Sequence, residues 1–281
     1  MTVAAALAQA RAALAPHSET AALDAQTLLA AVLHRERAWL LAHPQARLTP
    51  RQHRRLQRAC ARLAHGVPLP YVLGYWHFYG RKFALTPAVL IPRPETETLV
   101  ERALEWLRQH PHRRRVADVG TGSGILAITL AAEVPAARII ATDISPAALA
   151  VAHDNARRHR VAERIAFVET DLLAAAPGPF DLIVANPPYI PTAALAALPV
   201  ARHEPREALD GGPDGLTVVR RLLAQACARL APGGLLLLEI AADQGEAASG
   251  LARAACPQAV VRRHPDLAGR DRVVAVALPL A

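Results

Sequence analysis

Lysine is almost missing from the 281-residue chain: Lys82 is the only one among 32 basic residues, as in a GC-rich coding bias toward Arg, Ala and Pro. Asparagine occurs only at Asn155 and Asn186, so each has to be accounted for. The three cysteines, Cys60, Cys227 and Cys256, are odd in number and widely spaced. That excludes a disulfide framework and a zinc site, and leaves the expectation of small buried thiols in a reducing compartment. Long apolar runs are missing too. The longest run of Leu, Ile and Val is Leu235–Leu238, far short of the ~20 residues of a membrane span. The first residues have no basic stretch and Arg11 interrupts their apolar run, so no signal peptide is expected. Aromatics make up only 4% of the chain.

What is present suffices for a folded core. The chain is 52% hydrophobic, much of it alanine, which excludes global disorder. Its length allows one large domain or two modest ones. The net charge of +8 is uneven: residues 1–115 carry +10 and residues 116–281 carry −2. An acidic partner or nucleic acid touching the N-terminal part would account for the excess, and so would the arginine bias alone.

Helices are predicted over 3–14, 18–34 and 50–65, with Ser18 as N-cap of the second and Thr49-Pro50 opening the third before Gly66 ends it. Leu23, Leu28, Leu29, Val32 and Leu33 form one apolar stripe. Arg51, Arg54, Arg55, Arg58 and Arg62 share a face of the third helix, either a solvated face or a docking surface. Six of the eleven aromatics lie in 67–92: Tyr71, Tyr75, Trp76, Phe78, Tyr79 and Phe83. With Gly74, Gly80 and Pro87 they read as a β-hairpin linker, its rings packed on neighbours or stacking nucleic-acid bases beside Arg81 and Lys82. From 93 on, helix and strand alternate. Helices are predicted over 94–109, 123–133, 146–159, 214–230 and 243–255. Strands are predicted over 115–119, 138–142, 164–169, 181–185, 235–240, 259–263 and 272–277. This is an α/β pattern: a seven-stranded, mostly parallel sheet with helices on both faces, its last two strands an antiparallel edge pair. The domains are then a helical domain over 1–66, the linker over 67–92 and the α/β domain over 93–281.

The first strand of that domain runs into Gly120-Thr121-Gly122-Ser123-Gly124 ahead of a helix. Glycines at such a turn let backbone approach a ligand. A dinucleotide fingerprint would want Gly or Ala at 125, where Ile125 stands. Asp143, at the end of the second strand, lies where a carboxylate holds both ribose hydroxyls. Asp171-Leu172, at the end of the third, lies where an adenine edge is met. A ribose and an adenine without a pyrophosphate loop point to S-adenosyl-L-methionine rather than NAD. The fourth strand ends in Asn186-Pro187-Pro188-Tyr189. Two prolines fix this turn and remove two N–H donors. Asn186 and Pro187 offer carbonyl acceptors and Tyr189 a flat wall, a set suited to a planar NH₂ group.

Asn-Pro-Pro-Tyr after a fourth strand is shared by amino methyltransferases. Around it, Pro87–Glu97, His203-Glu204-Pro205 with Ala208-Leu209, Gly211–Leu216, Asp266–Val274 and Pro70–Gly74 together resemble the HemK/PrmC family of protein-(glutamine-N5) methyltransferases. The resemblance covers almost the whole chain. It implies a Rossmann-like methyltransferase sheet, a cytoplasmic enzyme of translation termination, and peptide chain release factors as protein substrate. The modified residue would be the glutamine of their Gly-Gly-Gln loop. It further implies S-adenosylmethionine held by Gly120–Gly124, Asp143, Leu172 and Asn186, with the substrate amide on Asn186, Pro187, Pro188 and Tyr189. No metal, no membrane and no direct nucleic-acid binding are required, and the helical domain would help hold the release factor. His203 stands where an aromatic is common, and Leu172 where a larger side chain sits.

The motif contains no Asp, Glu or His, so no strong base is assigned and the proton leaves to water. Arg93, Glu95 and Glu97 either order the substrate loop or cap the helix at 94–109. Glu204 is a loop anchor or an acid. Two rival readings share parts of this pattern: an exocyclic-amine methyltransferase of a nucleic-acid base, and a non-catalytic binding module that keeps the fold.

Overall fold

The computed structural model describes residues 1–280 and divides after Tyr75 into two compact units. The first is all-helical: α1 (Val3–Leu14), α2 (Ala21–Leu33), α3 (Arg37–Ala42), α4 (Pro50–Ala64) and α5 (Leu69–Leu73). Ala6, Ala10, Leu14, Leu28, Leu29, Leu40, Leu56 and Cys60 form its core. Thr49 and Gln52 close a reciprocal capping box on α4. Ser18 does not cap α2. Its hydroxyl is drawn to Asp24 at 2.6 Å, and Thr20 occupies the cap position. Leu23 leaves the predicted stripe and is exposed. Arg51, Arg54, Arg55, Arg58 and Arg62 are all exposed, and Arg62 also donates to the Tyr71 carbonyl at 3.3 Å.

The division falls at the first residue of the hairpin β1 (Tyr75–Phe78) and β2 (Arg81–Ala84), so the segment expected to be a hairpin alone also contains α5. Phe78 and Phe83 are buried in the core of the second unit, not offered to bases. Then follow α6 (Thr96–Gln109), β3 (Arg115–Val119), α7 (Ile125–Glu133), β4 (Arg138–Asp143), α8 (Pro146–Arg158), β5 (Ile165–Glu169), β6 (Phe180–Ala185), α9 (Thr192–Leu195), α10 (Thr217–Ala226), β7 (Leu230–Glu239), α11 (Gly245–Ala255), β8 (Val260–Pro265) and β9 (Asp271–Ala277). The sheet order is β5-β4-β3-β6-β7-β9-β8. The first five strands are parallel, and β9 runs antiparallel to both neighbours.

Strand residues alternate between two cores. Val116, Leu182, Val184, Leu235 and Leu237 join Leu99, Leu104 and Ile128 on one face. Ala117, Ile183, Ala185, Leu236 and Leu238 join Val219, Leu222 and Ala248 on the other. That period of two, with both faces covered by helices, is the signature of a doubly wound sheet. β7 begins at Leu230, earlier than the predicted 235, because pairing with β6 continues through a register shift across the Pro-Gly-Gly segment. α10 is shorter than its predicted 214–230.

One expectation is overturned. Cys227 and Cys256 are joined in a disulfide, with Cα atoms 5.9 Å apart across 29 residues of sequence. They sit at the C-terminal ends of α10 and α11, which pack side by side on one face of the sheet and so bring the two residues together. Cys60 alone remains a free, buried thiol.

Candidate active site

The strand order reverses at β3, which has β4 on one side and β6 on the other. Ligands of open α/β sheets bind at the carboxyl ends of strands beside such a switch point. A cavity of ≈ 320 Å³ lies there, with Gly120, Gly122, Asp143, Leu172, Asn186, Pro187 and Pro188 in its wall. These residues come from the turns after β3, β4, β5 and β6.

The glycine turn is built from two kinds of glycine. Gly120 and Gly122 have φ of +72° and +54°, and a Cβ on either would meet nothing within 4 Å. They face open space. Gly124 also has positive φ, but a Cβ there would lie 2.7 Å from Ile128 Cδ1 and 3.2 Å from Ala152. It is a packing glycine between α7 and α8. Thr121 and Ser123 are buried and turn away from the cavity. The Thr121 hydroxyl donates to Asp118 Oδ2 at 2.7 Å, and the Ser123 carbonyl accepts from Asn155 Nδ2 at 2.9 Å. Asn155 also exchanges hydrogen bonds with both backbone groups of Ala84, tying the hairpin to the glycine turn. That accounts for one of the two asparagines. Asp118 is pushed up to about 6, by burial first, with Thr121 and the Ala127 amide opposing and Asp143 adding.

Asp143 closes the turn from β4. Its Oδ2 accepts from the Gly122 N–H and its Oδ1 from the Ser145 N–H, both at 2.9 Å. Burial raises its pKa, backbone amides oppose this, and the charge of Glu207 adds to it. Each carboxylate oxygen has two lone pairs, so acceptor capacity toward the cavity remains.

On the other side of the switch point, Pro187 is buried and Asn186 half-buried. Asn186 Nδ2 donates to Thr96 Oγ1 at 3.2 Å, which turns Oδ1 the other way. Tyr189 does not line the large cavity. It lines a second one of ≈ 70 Å³, together with Arg93, Ile190 and four residues that also line the large cavity, Leu90, Asn186, Pro187 and Ala208. Asn186-Pro187 is therefore part of the partition between the two spaces, with Leu90 and Ala208. Burial, then the charge of Glu239, pushes the Tyr189 phenol up to about 12, so it stays protonated at neutral pH. The Tyr189 carbonyl accepts from Gln244 Nε2 at 2.9 Å. A Cβ at Gly215 would come within 2.3 Å of the same carbonyl, so the Gly211–Leu216 segment is held against the back of the motif.

Glu204 is fully buried. Its Oε1 pairs with Arg93 at 2.5 Å and its Oε2 accepts from the Ile91 N–H at 3.0 Å, making it an anchor for the segment ahead of α6. Arg93 thus orders the loop. Glu97 accepts from the Tyr79 N–H at 2.8 Å and pins the hairpin turn, and neither Glu95 nor Glu97 caps α6 with its side chain. Sequence reasoning missed Glu207, Asp210, Val218 and Arg221 in the cavity wall, since nothing in their local pattern marks them. Among the described residues no group of three or more His, Cys, Asp or Glu side chains could hold a metal ion, and no helix is long and apolar enough to cross a membrane.

Two family models match the chain, one described as PrmC N-terminal domain over residues 5–74, the other as Methyltransferase small domain over residues 96–201. A release factor glutamine methyltransferase of Moorella thermoacetica is 50% identical over 252 residues, 89% of each chain. One of Cereibacter sphaeroides is 46% identical over 265 residues, 94% of this chain and 93% of that one. Among solved structures, ribosomal protein L11 methylase of Lactobacillus delbrueckii subsp. bulgaricus aligns with a TM-score of 0.50 at 26% identity, covering 66% of this chain and 80% of that one. The likeness to the two curated relatives runs through nearly the whole length of all three chains, and this protein belongs to the family of release factor glutamine methyltransferases.

Proposed function

We propose that the protein transfers a methyl group from S-adenosylmethionine to the side-chain amide nitrogen of the glutamine in the Gly-Gly-Gln loop of bacterial release factors. The observation that carries this reading is the Asn186-Pro187 segment of the partition: two carbonyl acceptors on a turn whose two prolines carry no N–H, standing between a nucleoside-sized cavity and one the size of a side chain. The large cavity fits the methyl donor. Gly120 and Gly122 leave open space where a Cβ would intrude, Asp143 has lone pairs for ribose hydroxyls, and Leu172 supplies an apolar surface for the base. Thr121, Ser123 and Gly124 shape that turn from behind.

A glutamine amide nitrogen is a poor nucleophile because its lone pair is delocalised into the carbonyl. When bound, S-adenosylmethionine supplies a methyl group on a sulfonium, a reactive leaving group. The protein's part is placement. Asn186 Oδ1 and the Pro187 carbonyl each accept one amide N–H, which aims the nitrogen lone pair at the large cavity. Alkylation of the amide would place positive charge on its nitrogen, and the same two acceptors would stabilise that charge. Holding the reacting atoms ~3–3.5 Å apart and in line is worth roughly 7–11 kcal/mol. Tyr189 and Pro188 wall the amide plane. The phenol of Tyr189, at about 12, takes up no proton at neutral pH, and the amide proton leaves to water.

The helical unit is the docking element in this reading. The exposed Arg51, Arg54, Arg55 and Arg58 suit an acidic partner. Reversing Arg54 and Arg58 to Glu should slow association with a release factor and weaken its salt dependence, measured by stopped flow, while donor binding stays unchanged. A partner in translation termination makes the cytoplasm the expected compartment. Tritiated methyl transfer tests the substrate class: label should enter an unmodified release factor and not RNA or DNA. Label in nucleic acid alone would favour an exocyclic amine of a base as the acceptor.

A further inference from the structure

An asparagine amide has two orientations related by a half-turn, and only one presents Oδ1 to a substrate N–H. In this protein the choice is made behind Asn186. Thr96, the first residue of α6, is fully buried, and its Oγ1 lies 3.2 Å from Asn186 Nδ2. A hydroxyl that accepts from Nδ2 still has its own proton to place. Glu239 is beside it. Ala185 pairs with Leu238 across β6 and β7, so Asn186 and Glu239 are the next residues on adjacent parallel strands.

Glu239 is an unusual occupant of that position. It is 0% exposed, and neither carboxyl oxygen has a hydrogen bond of ordinary geometry. Thr96, Arg272 and Asn186 face it and favour its charged form, Glu95 opposes it, and burial outweighs them all. Tyr189 is the remaining titratable group within its field. A carboxyl group buried with so little compensation costs the fold stability. Glu239 lines neither cavity, and nor does Thr96, so neither touches substrate or donor.

We propose that Thr96 and Glu239 are positioning residues that set the orientation of the Asn186 amide. Thr96 accepts one Nδ2 hydrogen and turns its own proton toward Glu239. The Glu239 carboxyl draws the second Nδ2 hydrogen, and a carbonyl in that place would face two acceptors. Oδ1 is left pointing to the substrate. The assignment rests on the methyl transfer proposed above, and it explains why a polar pair is kept in a core that gains nothing from it.

The test uses the full chain with release factor as substrate and follows kcat, donor affinity by calorimetry, and melting temperature. Glu239→Leu should lower kcat by about 10–100-fold, the scale of a small misplacement in a positioned reaction, with donor affinity unchanged and the melting temperature equal or higher. Glu239→Gln, which keeps an acceptor of the same shape, should retain most of the turnover. Thr96→Val should fall as Glu239→Leu does and Thr96→Ser should recover. Thr96→Val keeps the shape of the side chain and Thr96→Ser keeps its hydroxyl, so this pair keeps the test decisive if the leucine variant fails to fold. Wild-type kcat in both Glu239→Leu and Thr96→Val would overturn the proposal, as would a Glu239→Gln variant as slow as the leucine one. A wild-type protein that methylates no glutamine would instead refute the activity on which the assignment rests, a result separate from either.

Discussion

Two turns at neighbouring strand ends make this site, and they are built from opposite materials. The turn after β3 is made of glycine: Gly120 and Gly122 adopt positive φ and face open space. The turn after β6 is made of proline, with Asn186 ahead of Pro187 and Pro188. Glycine removes the side chain, so that backbone can lie against a large ligand. Proline removes the N–H and fixes φ, so that the exposed groups are acceptors in set positions. On the proposed function, the first turn chiefly governs donor affinity and the second chiefly governs turnover. Substitutions in one should leave the other's property alone.

The largest effect is expected at the proline turn. Asn186→Ala should lower kcat by about 100-fold or more, because a lost acceptor (~1–3 kcal/mol) is compounded by misaim of the nitrogen. Donor affinity and melting temperature should stay near wild type in calorimetry and thermal scans. Asn186→Asp should be as inactive as the alanine variant, since it loses the Nδ2 donor to Thr96 and sets a second carboxyl beside Glu239. Recovery of turnover by the aspartate would mean that acceptance alone is its role.

Next comes the glycine side. Asp143→Ala should weaken donor binding by about 1.5–3 kcal/mol, the range for hydrogen bonds to a charged group, with kcat at saturating donor largely kept. Gly122→Val should weaken it by about tenfold, because a β-branched residue at φ +54° is strained and its side chain enters the cavity. Gly124→Ala is the contrasting variant. Its Cβ meets Ile128 at 2.7 Å, so it should lose stability before it loses donor affinity. Equal losses of affinity at 122 and 124 would erase the distinction between ligand-facing and packing glycines.

The smallest effect separates the two turns by pH. Behind the proline turn, Glu239 is raised from 4.5 to about 7, and behind the glycine turn, Asp118 is raised from 3.8 to about 6. A carboxyl that binds its proton more tightly when folded adds stability below its unfolded pKa and loses it as pH rises through the folded value. Melting temperature should therefore decline as pH rises from about 4 to about 7. Glu239→Leu should flatten the upper part of that decline by a few degrees, at about 2–4 °C per kcal/mol for a unit of this size. An unchanged profile would place the titration elsewhere.

The sheet was legible because hydrophobic period and strand-end chemistry agree along residues 93–281, from Val116 and Ala117 alternating in β3 to the glycine and proline turns. α3 and α5, of six and five residues, are too short to show a helical period. Pro232-Gly233-Gly234 reads as a loop, although β7 passes through it with a register shift. Cys227 and Cys256 meet only because α10 and α11 pack side by side, a tertiary fact with no local signature. In the site, the glycine, aspartate and proline turns of the cavity wall were readable from their own composition, while Glu207, Asp210, Val218 and Arg221 in the same wall were not. Nor were the residues behind it: Thr96 reads as the start of a helix and Glu239 as the end of a Leu-rich strand. The acidic end of a strand buried on both faces is the one signal that marks Glu239.

The central claim is that the Asn186-Pro187 turn presents a glutamine amide for methylation. Incubating an unmodified release factor with the protein and S-adenosylmethionine, then fragmenting its Gly-Gly-Gln peptide by tandem mass spectrometry, tests it most directly. The account predicts the mass of one methyl group on the glutamine side chain with the wild-type protein, and almost none with Asn186→Ala at the same donor occupancy. An unmodified glutamine with the wild-type protein, or full methylation by the alanine variant, would contradict it.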